Sequence, residues 1–331
     1  MVNRNAIHDN HGRPINYLRL AVTDRCNLRC FYCMPEEGIK YLPKKELLTY
    51  EEMERVADIL SNLGINKIRI TGGEPFVRKD LIQFLHKLRM NSRIQKLSIT
   101  TNGILTKDYI KDLQALNILS VNLSLDTLDP ERFRIITRRD DFHKVYATLH
   151  ELMANNFEIK INMVVMENQN INDILPMVEL GRKYPVNVRF IEEMPFNGEG
   201  AKYAKLRWTH KEILSHIMTK FPEVTKLDDD PHSTSMNYRI DNFPGSFGII
   251  AAFSRTFCGS CNRIRITAQG IMKTCLYDGG VLNVKELVRS GCDDSTITAE
   301  FISAFKNRYK TGFEAEKNRI PIHESMSTIG G

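Results

Sequence analysis

The sequence predicts an α/β fold, an incomplete (β/α)6 barrel of parallel strands followed by a smaller carboxyl-terminal α+β region. Three observations carry this expectation. Apolar runs of strand length alternate with segments of helical periodicity from Tyr17 to Ile191, polar motifs recur at the carboxyl ends of those runs, and the alternation stops after about residue 200. Strict alternation implies parallel strands joined by right-handed crossovers. Six units instead of eight would leave the barrel open on one side.

The elements follow in order. Tyr17 to Val22 reads as the first strand and runs directly into a cysteine-rich loop. Thr49 and Glu52 form a capping box, and Met53, Val56, Ala57 and Leu60 recur at helical spacing until Gly64. Lys67 to Ile70 is the second strand and ends in Thr71-Gly72-Gly73-Glu74-Pro75, after which Leu81, Phe84, Leu85 and Leu88 mark a helix from Asp80. Leu97 to Thr100 leads into Thr101-Asn102-Gly103 and a helix from Asp108 to Leu116, and Ser120 to Leu125 is the fourth strand. A helix through Phe142, Val145, Leu149 and Met153 precedes strand five at Glu158 to Val165; a helix from Ile171 to Tyr184 precedes strand six at Val186 to Ile191. The expected division is residues 1–200 for the barrel and 201–331 for the second region, which could cover the barrel's opening.

Composition narrows the class. With 331 residues, 42% hydrophobic and 26% charged, the chain is of ordinary globular type. No apolar stretch reaches the roughly 18 residues of a membrane span, and Met1-Val2-Asn3-Arg4-Asn5 leads into no signal-like apolar run. A cytoplasmic protein is therefore expected. A net charge of +6, spread along the chain, favours a small anionic ligand over nucleic acid.

Six of the seven cysteines form two triplets, Cys26-x3-Cys30-x2-Cys33 and Cys258-x2-Cys261-x13-Cys275. Zinc sites usually offer cysteine pairs and close their shell with four ligands, whereas a three-cysteine 4Fe-4S cluster leaves one iron open. The crowded first triplet suits such a cluster. The second is compatible with a cluster or with zinc. Disulfides are disfavoured in a reducing compartment, and Cys292 reads as an ordinary buried thiol. Arg19, Arg69 and Lys160 are informative by position, because a charge inside an apolar strand is costly unless paired. Each could instead face outward or sit in a structural ion pair.

The first triplet, with Tyr32 before its last cysteine and Thr71-Gly72-Gly73-Glu74-Pro75 after the next strand, resembles the radical S-adenosylmethionine (SAM) superfamily. Thr23-Asp24-Arg25-Cys26-Asn27, Phe257-Cys258-x2-Cys261-Asn262-Arg263-x-Arg265 and the final Gly330-Gly331 narrow the likeness to the GTP 3′,8-cyclase family of molybdenum cofactor biosynthesis. That resemblance implies two 4Fe-4S clusters, one held by Cys26, Cys30 and Cys33 and the other by Cys258, Cys261 and Cys275. It implies that SAM chelates the open iron of the first and is cleaved by one electron to a 5′-deoxyadenosyl radical. The radical would take hydrogen from ribose C3′ of GTP, and C3′ would then bond to guanine C8.

By position, Tyr32, Gly73, Ser124 and Met194 would bind SAM. Arg19, Arg69, Thr100, Lys160, Arg263, Ile264 and Arg265 would bind GTP, since guanidinium forks match phosphate oxygens. Arg263, Arg265, Gly330 and Gly331 are the candidate catalytic residues, the glycine tail reaching into the site. The resemblance further implies an external one-electron reductant and transfer of the product to cyclic pyranopterin monophosphate synthase; a homodimer is expected, and the charge distribution and hydropathy argue against nucleic-acid and membrane partners. Gly72 and Gly73 are expected to let the backbone approach SAM without an intervening Cβ. Two rival readings are a radical SAM peptide-modifying maturase with an auxiliary cluster and a non-catalytic metal-binding adaptor.

Overall fold

The computed structural model describes residues 7–194, 206–318 and 325–330. Its centre is the expected row of parallel strands: β1 (Tyr17–Ala21), β2 (Lys67–Thr71), β3 (Lys96–Thr101), β4 (Ser120–Ser124), β5 (Glu158–Val165) and β6 (Asn187–Glu192). Each pairs in parallel with the next. The crossovers carry α1 (Tyr50–Asn62), α2 (Leu81–Met90), α3 (Ile110–Ala115), α4 (Pro130–Thr137), α5 (Phe142–Ala154) and α6 (Ile174–Lys183).

The periodic residues become the core. Met53, Val56, Ala57 and Leu60 of α1 and Phe84, Leu85 and Leu88 of α2 are buried against Ile68 and Ile70 of β2 within one continuous apolar cluster. The α1 capping box is formed, with Glu52 N–H donating to Thr49 Oγ1 at 3.2 Å and Thr49 N–H to Glu52 Oε2 at 2.7 Å. Such a cap is worth about 1 kcal/mol.

Helix α4 was not anticipated, although Asp129-Pro130 is a start signal: Asp129 accepts the Arg132 N–H at 2.9 Å and Pro130 occupies the first turn. The helix braces the cysteine loop, because the carbonyls of Ile136 and Thr137 accept the amides of Phe31 and Arg29.

The second region adds β7 (Val224–Lys226), β8 (Ser235–Ile240), β9 (Ser246–Ile250), β10 (Arg263–Ile266), β11 (Ile271–Lys273) and β12 (Leu282–Asn283). These strands join the barrel sheet at both flanks. Strand β10 pairs in parallel with β1 and β9 in parallel with β6, while the others extend antiparallel from them. The result is one twelve-stranded sheet ordered β12-β11-β10-β1-β2-β3-β4-β5-β6-β9-β8-β7, whose ends do not pair. Residues 251–262 connect the two flanking parallel strands and so carry Cys258 and Cys261 from one side of the incomplete barrel to the other.

Candidate active site

The first triplet follows the carboxyl end of β1. Gly73 N–H donates to Thr23 O and Glu74 N–H to Arg25 O, both at 2.8 Å, tying the Thr-Gly-Gly-Glu-Pro turn to the cysteine loop. A Cβ on Gly73 would lie 2.3 Å from Arg25 O, and one on Gly72, at φ +145°, would lie 2.5 Å from Thr23 O. The space these glycines free is thus taken by the cysteine-loop backbone, and this backbone approach is their steric requirement.

Glu74 is wholly buried and accepts from Asn102 N–H at 2.7 Å, Thr101 Oγ1 at 2.9 Å and Phe76 N–H at 3.2 Å; burial raises its carboxyl to about 7. Asn102 Nδ2, fixed in this way, reaches Cys26 Sγ at 3.6 Å. The Tyr32 hydroxyl donates to Asp126 Oδ2 at 2.8 Å. Burial pushes the thiols up, Cys26 to about 11, Cys33 to about 12 and Cys30 well above its ordinary value, with the Asp126, Cys33 and Cys26 charges adding to the last. Three thiolates here need a cationic centre to stabilise them.

The second triplet lies at the opposite end of the strands. Strand β10 runs parallel to β1 with Arg263 beside Tyr17, so Cys258 and Cys261 precede its amino end, and β11 runs back to deliver Cys275 there. Its surroundings are cationic. Asp9, buried, accepts from Arg13 Nε at 2.6 Å and Arg308 Nη1 at 3.1 Å. Arg13 then holds Cys258 O at 2.9 Å and Arg308 holds Cys261 O at 3.2 Å.

Donors also converge on the sulfurs: Gly312 N–H on Cys258 at 3.4 Å, Tyr277 N–H on Cys275 at 3.5 Å and Arg308 Nη2 on Cys261 at 3.7 Å. Burial would raise the Cys261 thiol, but Arg263 and Arg308 bring it down to about 7. Among the described residues no three Cys, His, Asp or Glu donors group as a single-ion site; a lone zinc would need sulfurs within about twice its 2.3 Å bond. Half-buried cysteines in triplets, each triplet with N–H donors, fit iron-sulfur clusters.

Between the two ends is a cavity of about 690 Å³ whose wall includes all six triplet cysteines, within the usual size for ligand sites of about 300–1,000 Å³. Tyr32, Gly73, Ser124 and Met194 line it, as do Arg19, Arg69, Thr100, Lys160, Arg263 and Arg265. The register makes the electrostatics explicit. Arg265 is paired with Arg19 and Arg19 with Arg69, so three guanidinium groups stand side by side on adjacent strands. Like charges opposed in this way are destabilising.

Arg19 Nε, Arg69 Nη1, Arg263 Nε and Arg263 Nη2 are buried without a hydrogen-bond partner. Burial and the charge of Arg265 lower Arg19 well below its ordinary value. Orphaned guanidinium nitrogens on and beside this row mark a site for a polyanion. Thr100 Oγ1 is also buried and unpartnered, whereas Lys160 pairs with Glu158.

The remaining expected residues divide. The Ile264 side chain lies in the apolar core, leaving only its backbone near the arginines on either side. Gly330, at φ +81°, accepts Arg265 Nη1 on its carbonyl at 3.1 Å, and a Cβ there would lie 2.8 Å from Ala21 Cβ and 3.0 Å from Thr71 Oγ1. Gly331 lies outside the described residues, as does the expected division at 200/201. Cys292 is half-buried beside Arg55, which donates to its carbonyl.

Sequence reasoning missed Arg189 on β6, half-buried in the wall near Arg69 and Arg263. It sits inside the apolar run Val188-Arg189-Phe190, the signal that marked Arg69. Also missed was Tyr17, whose hydroxyl meets Arg69 Nε at 2.6 Å while Lys67 Nζ lies 4.4 Å from its ring centre.

Comparison with known proteins now fixes the family. Residues 20–181 match the Radical SAM superfamily and residues 186–313 match Molybdenum Cofactor Synthesis C. The chain is 41% identical over 335 residues to the GTP 3′,8-cyclase of Syntrophomonas wolfei, with 98% of this chain and 99% of that protein covered. The chain belongs to the GTP 3′,8-cyclase family. It is 39% identical over 326 residues to the GTP 3′,8-cyclase of Desulforamulus reducens, covering 98% and 99% of the two chains.

The molybdenum cofactor biosynthesis protein 1 of Bos taurus is 40% identical over 290 residues, which are 87% of this chain and 46% of that one. The chain thus spans a little under half the length of such animal relatives. Among solved structures, Streptococcus suis SuiB bound to S-adenosylmethionine matches with a TM-score of 0.61 at 16% identity, covering 87% of this chain and 68% of SuiB. That likeness is one of fold.

Proposed function

We propose that the chain converts GTP to (8S)-3′,8-cyclo-7,8-dihydroguanosine 5′-triphosphate by radical SAM chemistry, the first step of molybdenum cofactor biosynthesis. The observation that carries this reading is the arginine row between two three-cysteine groups facing one cavity. When bound, a SAM-chelating 4Fe-4S cluster at Cys26, Cys30 and Cys33 supplies one-electron bond cleavage, and a second cluster at Cys258, Cys261 and Cys275 supplies an iron open to the guanine.

The chain's own residues bind and orient. Tyr32, Gly73, Ser124 and Met194 line the SAM side. Arg19, Arg69, Arg263 and Arg265, with Thr100, Lys160 and the Ile264 backbone, hold the triphosphate and so place the ribose between the two ends, where orientation supplies much of the rate. Arg265 also binds the Gly330 carbonyl, linking the phosphate site to the Gly330-Gly331 tail. In this reading residues 1–200 hold SAM, residues 201–331 complete the GTP site, an external donor supplies the electron, and the product goes to cyclic pyranopterin monophosphate synthase. We place the protein in the cytoplasm as a homodimer.

The test is anaerobic incubation of the cluster-loaded protein with SAM and a strong reductant, with GTP, ATP or no nucleotide. The expected result is 5′-deoxyadenosine together with a GTP isomer of unchanged mass, in the GTP sample alone. Equal SAM cleavage without nucleotide would reject GTP as substrate and favour the maturase reading. No SAM cleavage by a cluster-loaded protein would favour the adaptor.

A further inference from the structure

We propose that this site takes the metal-free triphosphate of its nucleotide and excludes the magnesium complex, an inference that rests on the GTP reading above. The cations are the first ground. Arg19, Arg69, Arg189, Arg263 and Arg265, with Lys160, line one cavity, and the pairing of β10, β1 and β2 sets Arg265, Arg19 and Arg69 in a single row. Against them a triphosphate brings roughly four negative charges. The five arginines already exceed that charge, and a doubly charged ion would add repulsion at close range.

Ligand chemistry is the second ground. Magnesium requires near-octahedral oxygen ligands and is held by one or two carboxylates together with substrate phosphates. Five carboxylates among the described residues line the cavity, and four of them are engaged or lie at the end away from Arg263. Glu158 is engaged by Lys160 and Lys96. Asp126 accepts from Tyr32 and Val164, and Glu192 from the amides of His210, Phe253 and Ser254. Glu193 follows Glu192 past the carboxyl end of β6, the end opposite Arg263, which leaves the exposed Asp230 as a single carboxylate against five arginines.

The orphaned guanidinium nitrogens are the third ground. Arg19 Nε, Arg69 Nη1 and both Arg263 Nε and Nη2 are buried and lack a partner. They call for acceptor oxygens, and each phosphate lone pair given to a guanidinium is one fewer for magnesium to hold.

The experiment measures GTP binding to the protein carrying both clusters, without reductant, by ultrafiltration at constant ionic strength. One series contains EDTA, and in the other magnesium is raised until about nine tenths of the nucleotide carries it. The expected apparent Kd rises about tenfold, in proportion to the loss of uncomplexed nucleotide.

A second probe is the exchange-inert tetraammine cobalt(III) complex of GTP, which cannot shed its metal. It is expected to show no saturable binding where bare GTP saturates. Unchanged or tighter binding with magnesium, or cobalt(III)-GTP binding as tightly as bare GTP, would overturn the proposal. If bare GTP itself does not bind, the GTP reading fails and this inference falls with it.

Discussion

The two cysteine triplets have the same ligand count and differ in how many arginines surround them. Around Cys26, Cys30 and Cys33 the ionisable neighbours include the buried acids Glu74 and Asp126, and burial dominates the thiols. Around Cys258, Cys261 and Cys275 they are Arg13, Arg263 and Arg308 together with the buried acids Asp9, which both Arg13 and Arg308 bind, and Asp278; burial and the Asp278 charge raise Cys275 to about 11. In the proposed reading the first end holds a sulfonium cation and the second faces a polyanion, so each end carries the charge complementary to its ligand. The difference teaches that cysteine count sets the kind of centre, while the neighbouring side chains set which ligand it can face.

The strongest way to separate the two ends is Gly73→Ala. Its Cβ would meet Arg25 O at 2.3 Å, a backbone atom that cannot swing aside. Iron content is expected to fall by about half, as one of two four-iron clusters is lost, and SAM cleavage with it; retention of both clusters would show that the loop tolerates the shift. The reciprocal change, Cys258→Ala, should spare the first cluster and its spectroscopic response to SAM while abolishing the GTP-derived product by mass spectrometry.

Gly330→Ala acts where the ends communicate. The crowding against Ala21 and Thr71, with φ at +81°, should displace the carbonyl from Arg265, so turnover drops while the iron content stays unchanged.

Arg19→Gln is a smaller change. It removes a charge from the middle of the row, where hydrogen bonds to charged groups are worth about 1.5–3 kcal/mol, and should weaken GTP binding about 10- to 100-fold without altering either cluster.

Smallest is a titration. Burial would raise the Tyr17 phenol, yet Arg69, Arg19 and Lys67 bring it down to about 7. Because the folded value lies below the ordinary 10, the stability it contributes is complete above about pH 10 and is lost as pH falls through about 7. In nucleotide-free protein the phenolate absorbance should appear near pH 7 and vanish in Tyr17→Phe. GTP should suppress it by occupying the same arginines. A phenol titrating near 10 in the free protein would break this account.

Much of the barrel was legible because its signals are local. Each β-to-α unit carries its own apolar run, helical spacing and stop signal, so β1 to β6 were placed to within a residue or two at their ends. The charges buried inside apolar strands marked Arg19 and Arg69 for the same reason, and Arg189 carries that mark too. Tyr17 carries no such mark, since a tyrosine at the start of a strand is ordinary; only the Arg69 hydrogen bond reveals it. The role of Gly73 was equally hidden, because the atom it must avoid belongs to Arg25, nearly fifty residues away.

Sequence alone determined the family, the parallel barrel and the two thiol triplets, because spacing, periodicity and residue chemistry are properties of short stretches. Tertiary structure decided that β9 and β10 flank the barrel from opposite sides, that the triplets lie at opposite ends of one cavity, and that Arg265, Arg19 and Arg69 form a row. Those facts depend on strand pairing between residues up to some 250 positions apart, and no local pattern encodes which distant strands become neighbours.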